Sequence, residues 1–162
     1  MIRKSDMLSA IDSKLLNRLM QQGRASWAEL AEELKLSPPA AAERTRKLEE
    51  RGVIRGYAAV VDPPSVGYDL TAFVAVTLER PHHRGKFLTS VLHKFPEIVE
   101  CHHVAGDYDY LLKVRCRGTS DLDDLLSNRL KGLPGIARTR TTIVLSTLKE
   151  TVVTPLVTDP ER

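Results

Sequence analysis

Two consecutive prolines interrupt the chain at Asp62-Pro63-Pro64-Ser65, and no regular helix or strand runs through such a pair. Each ring fixes φ and removes a backbone donor. The hydrophobic pattern changes character across this break: before it apolar residues return at helical spacing, and after it strand-like alternation appears. We therefore read a helical unit over residues 1–56, a linker strand and proline-containing hinge over 57–67, and a mixed unit with a C-terminal tail over 68–162.

The first unit reads as three helices. Leu8, Ile11, Leu15, Leu16 and Leu19 mark one apolar face, and Gly23 supplies a stop. Ser26-Trp27-Ala28-Glu29 is a capping-box pattern opening a short second helix with Leu30, Ala31 and Leu34 inward. Ser37-Pro38 starts a third helix, which runs to about Arg51 and ends at Gly52. Helix, short helix, tight turn, helix is the helix-turn-helix layout. The turn falls at Lys35, where glycine is often used for a left-handed backbone, at a cost of about 1 kcal/mol. Tyr57 to Val61 reads as an extended wing or linker strand.

The remainder follows the order β-α-β-β-α-β, the ferredoxin-like arrangement, so the fold class is α+β. The predicted strands are 71–78, 98–105, 108–117 and 136–148. Phe87, Leu88, Val91, Leu92 and Phe95 mark one helix, and Leu122, Leu125, Leu126, Leu130 and Leu133 the other. Helices cover one face of such a sheet, and a second copy is the economical cover for the other.

Charge is distributed unevenly. Residues 1–56 hold 11 Lys/Arg against 8 Asp/Glu, whereas residues 57–162 hold 13 of each. The whole surplus of 3 lies where the helix-turn-helix is predicted, as phosphate binding requires. If Ala41, Thr45 and Leu48 face inward, then Pro39, Ala42, Glu43, Arg46 and Lys47 face outward. Alanine methyls suit thymine methyls, and Arg46 suits guanine or phosphate. Ser26 and Ser37 stand at helix N-termini, where backbone phosphate is bound. With Arg44 these give the candidate DNA-contacting set: Ser26, Ser37, Pro39, Ala42, Arg44, Arg46 and Lys47. The same helix also fits a solvated amphipathic surface.

Gly106-Asp107-Tyr108-Asp109 is the second constellation. Glycine permits a tight turn and close backbone approach, backbone amides suit a carboxylate, and Asp107 or Asp109 suits an ammonium group. Those are the two ends of a free amino acid, although Gly-Asp also suits a plain hairpin. His102 and His103 are adjacent on a predicted strand and point to opposite faces, so they do not chelate one metal; His82-His83 reads as a solvated loop. Cys101 and Cys116 lack metal-ligand spacing and read as reduced thiols. No metal, cofactor or catalytic set is expected. The polar start, and the absence of an apolar run near the roughly 18 residues of a membrane span, point to the cytoplasm and away from membranes.

These segments together resemble the Lrp/AsnC (leucine-responsive/asparagine regulator, feast/famine) family. The likeness runs from about Leu8 to Thr151 through Gly23-Arg24-Ala25-Ser26, Glu29-Leu30-Ala31, Leu36-Ser37-Pro38, Glu43-Arg44 and Leu48-Glu49-Glu50-Arg51-Gly52-Val53-Ile54. It continues through Gly56-Tyr57, Gly106-Asp107-Tyr108-Asp109-Tyr110-Leu111-Leu112, Leu133-Pro134-Gly135 and Arg140-Thr141 with Ile143-Val144-Leu145. The departures are Lys35 for the usual glycine, Ser9 for a common aspartate, and the alanine run 40–42. The resemblance implies a winged helix-turn-helix that binds double-stranded DNA and a ferredoxin-like regulator domain. It implies homodimers assembling to tetramers or octamers, with a small effector, usually an amino acid, between subunits. It adds His103, Thr142, Ile143 and Val144 to Gly106, Asp107, Tyr108 and Asp109 as effector-site candidates.

Two other functions share parts of this plan. Sirohaem decarboxylases have the same two domains but carry a His-Asn-Tyr type of sequence where this chain has Gly-Asp-Tyr-Asp. A DNA-independent amino-acid sensor would leave the basic helix face idle.

Overall fold

The computed structural model describes residues 8–79 and 84–156, with the side chains of Arg84, Lys86, Ser90 and Leu92 left aside. His82 and His83, and the Leu92 side chain of the predicted helical stripe, lie outside the described residues. The chain divides into two compact units, Met1–Ala59 with Lys149–Arg162, and Val60–Leu148.

In the first unit, α1 (Ala10–Gln21) is opened by a capping box between Ser9 and Asp12, and α2 (Trp27–Leu34) by one between Ser26 and Glu29. Helix α3 (Pro38–Glu50) is capped by Ser37, whose hydroxyl accepts from the Ala40 amide at 3.3 Å. Leu15, Leu16, Leu34 and Leu48 form the core, and Leu8, Ile11, Leu19, Leu36, Ile54 and the distant Leu156 pack against it. Buried Thr45 satisfies its hydroxyl by donating to the Ala41 carbonyl at 3.0 Å. Between α2 and α3, Lys35 adopts φ 54° and ψ 47°, and the Leu36 amide donates to the Ala31 carbonyl at 2.9 Å. Among the described residues Lys35 is the only non-glycine with positive φ. The left-handed turn foreseen at that position is thus made without glycine. Among the described residues Tyr57–Val61 carries no ladder pairing.

The second unit is a four-stranded antiparallel sheet in the order β2-β3-β1-β4. The strands are β1 (Leu70–Leu78), β2 (Ile98–His103), β3 (Tyr110–Cys116) and β4 (Ile136–Ile143). Helix α4 (Arg84–Lys94) follows β1, and α5 (Thr119–Asp124) follows β3. One sheet face sets Ala72, Val74, Val76, Tyr110, Leu112, Val114 and Cys116 against Phe87, Val91, Phe95, Leu122, Leu125 and Leu130. The other face carries Phe73, Ala75, Thr77, Leu111 and Lys113, with Arg138, Arg140 and Thr142 beside them by register. Among the described residues of this unit, no helix covers that face.

One predicted boundary and one helix geometry are corrected. Strand β4 ends at Ile143 instead of running to Leu148. Its ladder partner, β1, begins at Leu70, and after the Val144 amide reaches the Thr71 carbonyl at 2.9 Å no further ladder bond forms. The last helix also changes pitch. Leu125–Leu130 is π-helical, with the Lys131 amide donating to the Leu126 carbonyl at 3.2 Å. That wider turn buries both Leu125 and Leu130, five residues apart. It also lets Arg129 bridge Glu97 at 2.6 Å over the Phe95 ring.

The left-handed Lys35 yields a stability expectation. Lys35→Gly raises the unfolding free energy of the helical unit by about 1 kcal/mol, read as a higher denaturant midpoint. A lower midpoint would show that the turn is unstrained.

Candidate functional site

Helix α3 presents its residues as the hydrophobic pattern requires. Ala41, Thr45 and Leu48 are buried, Pro39, Arg46 and Lys47 are exposed, and Ala42, Glu43 and Arg44 are intermediate. The outward cations are not bare. The Arg46 Nε and Nη2 donate to the Glu43 carboxylate at 3.0 and 2.7 Å, and its Nη1 to Glu50. Lys47 stands 3.6 Å from the Glu43 Oε1. Hydrogen bonding from Arg46 holds the Glu43 carboxyl below the ordinary glutamate range. Exposed pairs at this spacing are worth only about 0.3–0.5 kcal/mol, so a phosphate displaces them at little cost.

Arg44, also singled out from the sequence, is differently placed. Its Nη1 donates to the Asp12 Oδ1 at 2.8 Å, joining α3 to α1 across 32 residues of chain. Burial opposes ionisation of Asp12, but hydrogen bonds within the Ser9 cap and from Arg44, with the guanidinium charge, outweigh it. The pKa lies below the ordinary aspartate value. Arg44 thus fixes the seat of α3. The hydroxyls of Ser26 and Ser37 are occupied as helix caps.

In the second unit the 104–109 hairpin tip is tied to the end of β1. The Asp109 amide donates to the Val76 carbonyl at 2.9 Å, and its carboxylate Oδ2 accepts from the Leu78 amide at 2.7 Å. Asp109 therefore continues the sheet. Gly106, at φ 153°, makes the turn that brings Asp107 forward. Asp107 and Tyr108 line a cavity of about 350 Å³ together with Ala75, Thr77, Arg138 and Arg140. Thr77 pairs with Arg138 and Ala75 with Arg140 across the β1–β4 ladder, which sets all four on the uncovered face.

The other effector candidates lie elsewhere. His103 pairs with Tyr110, and their rings stand 5.2 Å apart on the helix-covered side. Thr142, Ile143 and Val144 lie toward the opposite end of β4, against Phe73, Ala72 and Thr71. The cavity wall also includes Arg138, Ala75 and Thr77, which the sequence does not single out, and Arg140, which it marks only within a motif. The signal was present in the two-residue spacing of Arg138 and Arg140, which places both on one face of a strand.

His102 and His103 face opposite sides of the sheet: His102 meets Glu100 at 3.1 Å, and His103 meets Tyr110. Among the described residues no three His, Cys, Asp or Glu side chains gather as metal ligands, and no helix is long and apolar enough to cross a membrane. Cys101 and Cys116 are free. Burial pushes the Cys116 thiol up to about 11, helped by Asp121 and Glu97.

Comparison with known proteins finds both units. Residues 8–49 match the AsnC-type helix-turn-helix domain, and residues 71–154 match the Lrp/AsnC ligand binding domain. The chain is 43% identical over 145 residues to the leucine-responsive regulatory protein of Escherichia coli, covering 88% of each. It resembles a transcriptional regulator of Neisseria meningitidis solved as an L-methionine complex (TM-score 0.88, 32% identity, 92% of this chain and 97% of that one). A feast or famine regulatory protein of Mycobacterium tuberculosis, also complexed with L-methionine, gives a TM-score of 0.83 at 39% identity, covering 89% and 96%.

The site geometry generates two expectations. Asp12 is depressed in the fold, so its contribution to stability is complete above the unfolded value, near pH 4, and is lost as pH falls through the lower folded value. Asp12→Asn therefore destabilises the protein at pH 7, and the gap to the parent closes below about pH 4; a gap independent of pH in urea melts would refute the pairing. Asp109→Ala leaves the Leu78 amide without its partner and costs about 1–3 kcal/mol, measured by thermal or urea unfolding. An unchanged midpoint would show that the carboxylate does not hold the hairpin.

Proposed function

The chain belongs to the Lrp/AsnC family of transcription regulators and is not an enzyme, and from that premise we propose that it is a cytoplasmic homo-oligomer whose α3 reads duplex DNA under the control of an amino-acid effector. The DNA reading rests on the outward side of α3. Pro39 and Ala42 are small enough to approach base edges, while Arg46 and Lys47 are exposed and held only by exchangeable surface pairs. Phosphate contact releases those pairs and condensed counterions, so binding weakens steeply with salt. Asp12–Arg44 and the Lys35 turn keep the helix seated while its outer cations change partners.

Two copies are needed for α3 to meet successive major grooves, because one helix of this length covers only a half-site. The sheet face without helices suits contact with a second copy, and Leu145 and Leu148, 97% and 96% exposed in the single chain, extend the surface available to one. Assembly of such dimers into tetramers or octamers is the family's plan and is proposed here on that ground. The effector reading rests on the cavity at Asp107, Tyr108, Arg138 and Arg140, which opens on this face and offers partners for both ends of an amino acid. The two relatives crystallised with L-methionine support the ligand class. An effector that prefers one assembly geometry shifts DNA affinity by its differential binding to the two states.

Arg46→Ala and Lys47→Ala test the orientation of α3. Each weakens binding to a duplex containing the protein's own promoter and reduces the slope of log K against log salt by about 1, while the elution volume on size exclusion stays that of the parent. A double variant that binds DNA like the parent would place the interface elsewhere.

A further inference from the structure

We infer that the cavity beside the 104–109 hairpin selects a dicarboxylic amino acid, of the glutamate or aspartate class, over an apolar one. The inference rests on the proposed effector reading and names the chemistry of that site. The cavity is lined by Ala75, Thr77, Asp107, Tyr108, Arg138 and Arg140.

Charge matching carries the argument. An amino-acid zwitterion brings one carboxylate and one ammonium group. Asp107 answers the ammonium, and one guanidinium answers the α-carboxylate. The second guanidinium then has no counterpart. Arg138 and Arg140 form no ion pair with a carboxylate of the described residues, unlike Arg44, Arg46 and Arg129, each of which is paired within its own unit. Covering an unpaired guanidinium with an apolar side chain costs its hydration and returns nothing, whereas a second carboxylate neutralises it.

Spacing and lining agree with charge. Positions 138 and 140 are two residues apart on one strand, so their Cα atoms stand about 6.7 Å from each other, and both side chains leave the same face. Two guanidinium groups on one face at this spacing suit two carboxylates separated by a short chain. Apolar lining is confined to Ala75 and the ring of Tyr108, which gives a branched or thioether side chain little to pack against. Arg138 stands beside Thr77, at the hairpin end of the strand, and Arg140 beside Ala75.

Calorimetric titration of the full-length protein tests this with L-glutamate, L-aspartate, L-glutamine, L-leucine and L-methionine. Glutamate or aspartate is expected to bind at least tenfold tighter than the other three. Arg138→Gln and Arg140→Gln are each expected to remove that preference, with far-ultraviolet circular dichroism confirming the fold. Tighter binding of leucine or methionine by the parent protein would overturn the inference and leave the amino-acid effector standing. Heat-silent titrations with all five, repeated by thermal shift with the same outcome, would overturn both. The selectivity of the parent protein decides the question even where a variant fails to fold.

Discussion

Strand β1 is bonded on both sides, to β3 and to β4, and the limits of this one strand govern the rest of the regulatory unit. Its first residue, Leu70, sets where β4 loses its partner. Its last, Leu78, has an amide that would be left over at the sheet's end, and the Asp109 carboxylate takes it. With the Asp109 amide bonded to the Val76 carbonyl, this contact draws the 104–109 hairpin against the sheet and so brings Asp107 and Tyr108 beside the arginines of β4. The alternation of β1 then separates two environments three ångströms apart along the strand: Ala72, Val74 and Val76 in a dry core, Ala75 and Thr77 in the cavity wall.

The helical unit is organised by a different economy. Its three helices are short, and their amide ends are satisfied locally by Ser9, Ser26 and Ser37. Propensity alone would not hold helices of this length; they depend on the leucine core and on the left-handed turn that swings α3 across α2. On α3, charged residues divide by partner. Arg44 reaches to another helix, whereas Arg46 and Lys47 pair only along their own helix.

Much of this was legible in the residues. The capping patterns, the break at Pro63-Pro64, the left-handed turn at Lys35 and the βαββαβ order all express local backbone chemistry, which a sequence states directly. The inward and outward sides of α3 followed from periodicity. What escaped was decided by distant partners. The end of β4 depends on where β1 begins, some 70 residues earlier, and the partner of Arg44 lies two helices away at Asp12. The π-helical turn arises because Leu125 and Leu130 must both reach one core, a demand invisible without the sheet beneath them. The cavity shows both cases: Asp107 stood out as a turn residue, but Arg138 and Arg140 acquire meaning only through register against Thr77 and Ala75. His103 and Thr142 to Val144, carried by resemblance, lie on the other side or at the other end of the sheet from that cavity.

Leu156 packs on the same leucine cluster as Ile54, although the whole of the other unit, Val60–Leu148, lies between them in the chain. The domain begun first on the ribosome is consequently the one completed last. Residues through Ala59 can form their helices as they emerge, but Leu156 joins their apolar cluster only after the tail has been made. The returning contact closes a very long loop, and its entropic cost grows only with the logarithm of that length. Once the sheet unit has folded, most of that loop is no longer free chain. The order of synthesis thereby becomes an order of maturation: the sheet unit is whole before the DNA-facing unit is closed.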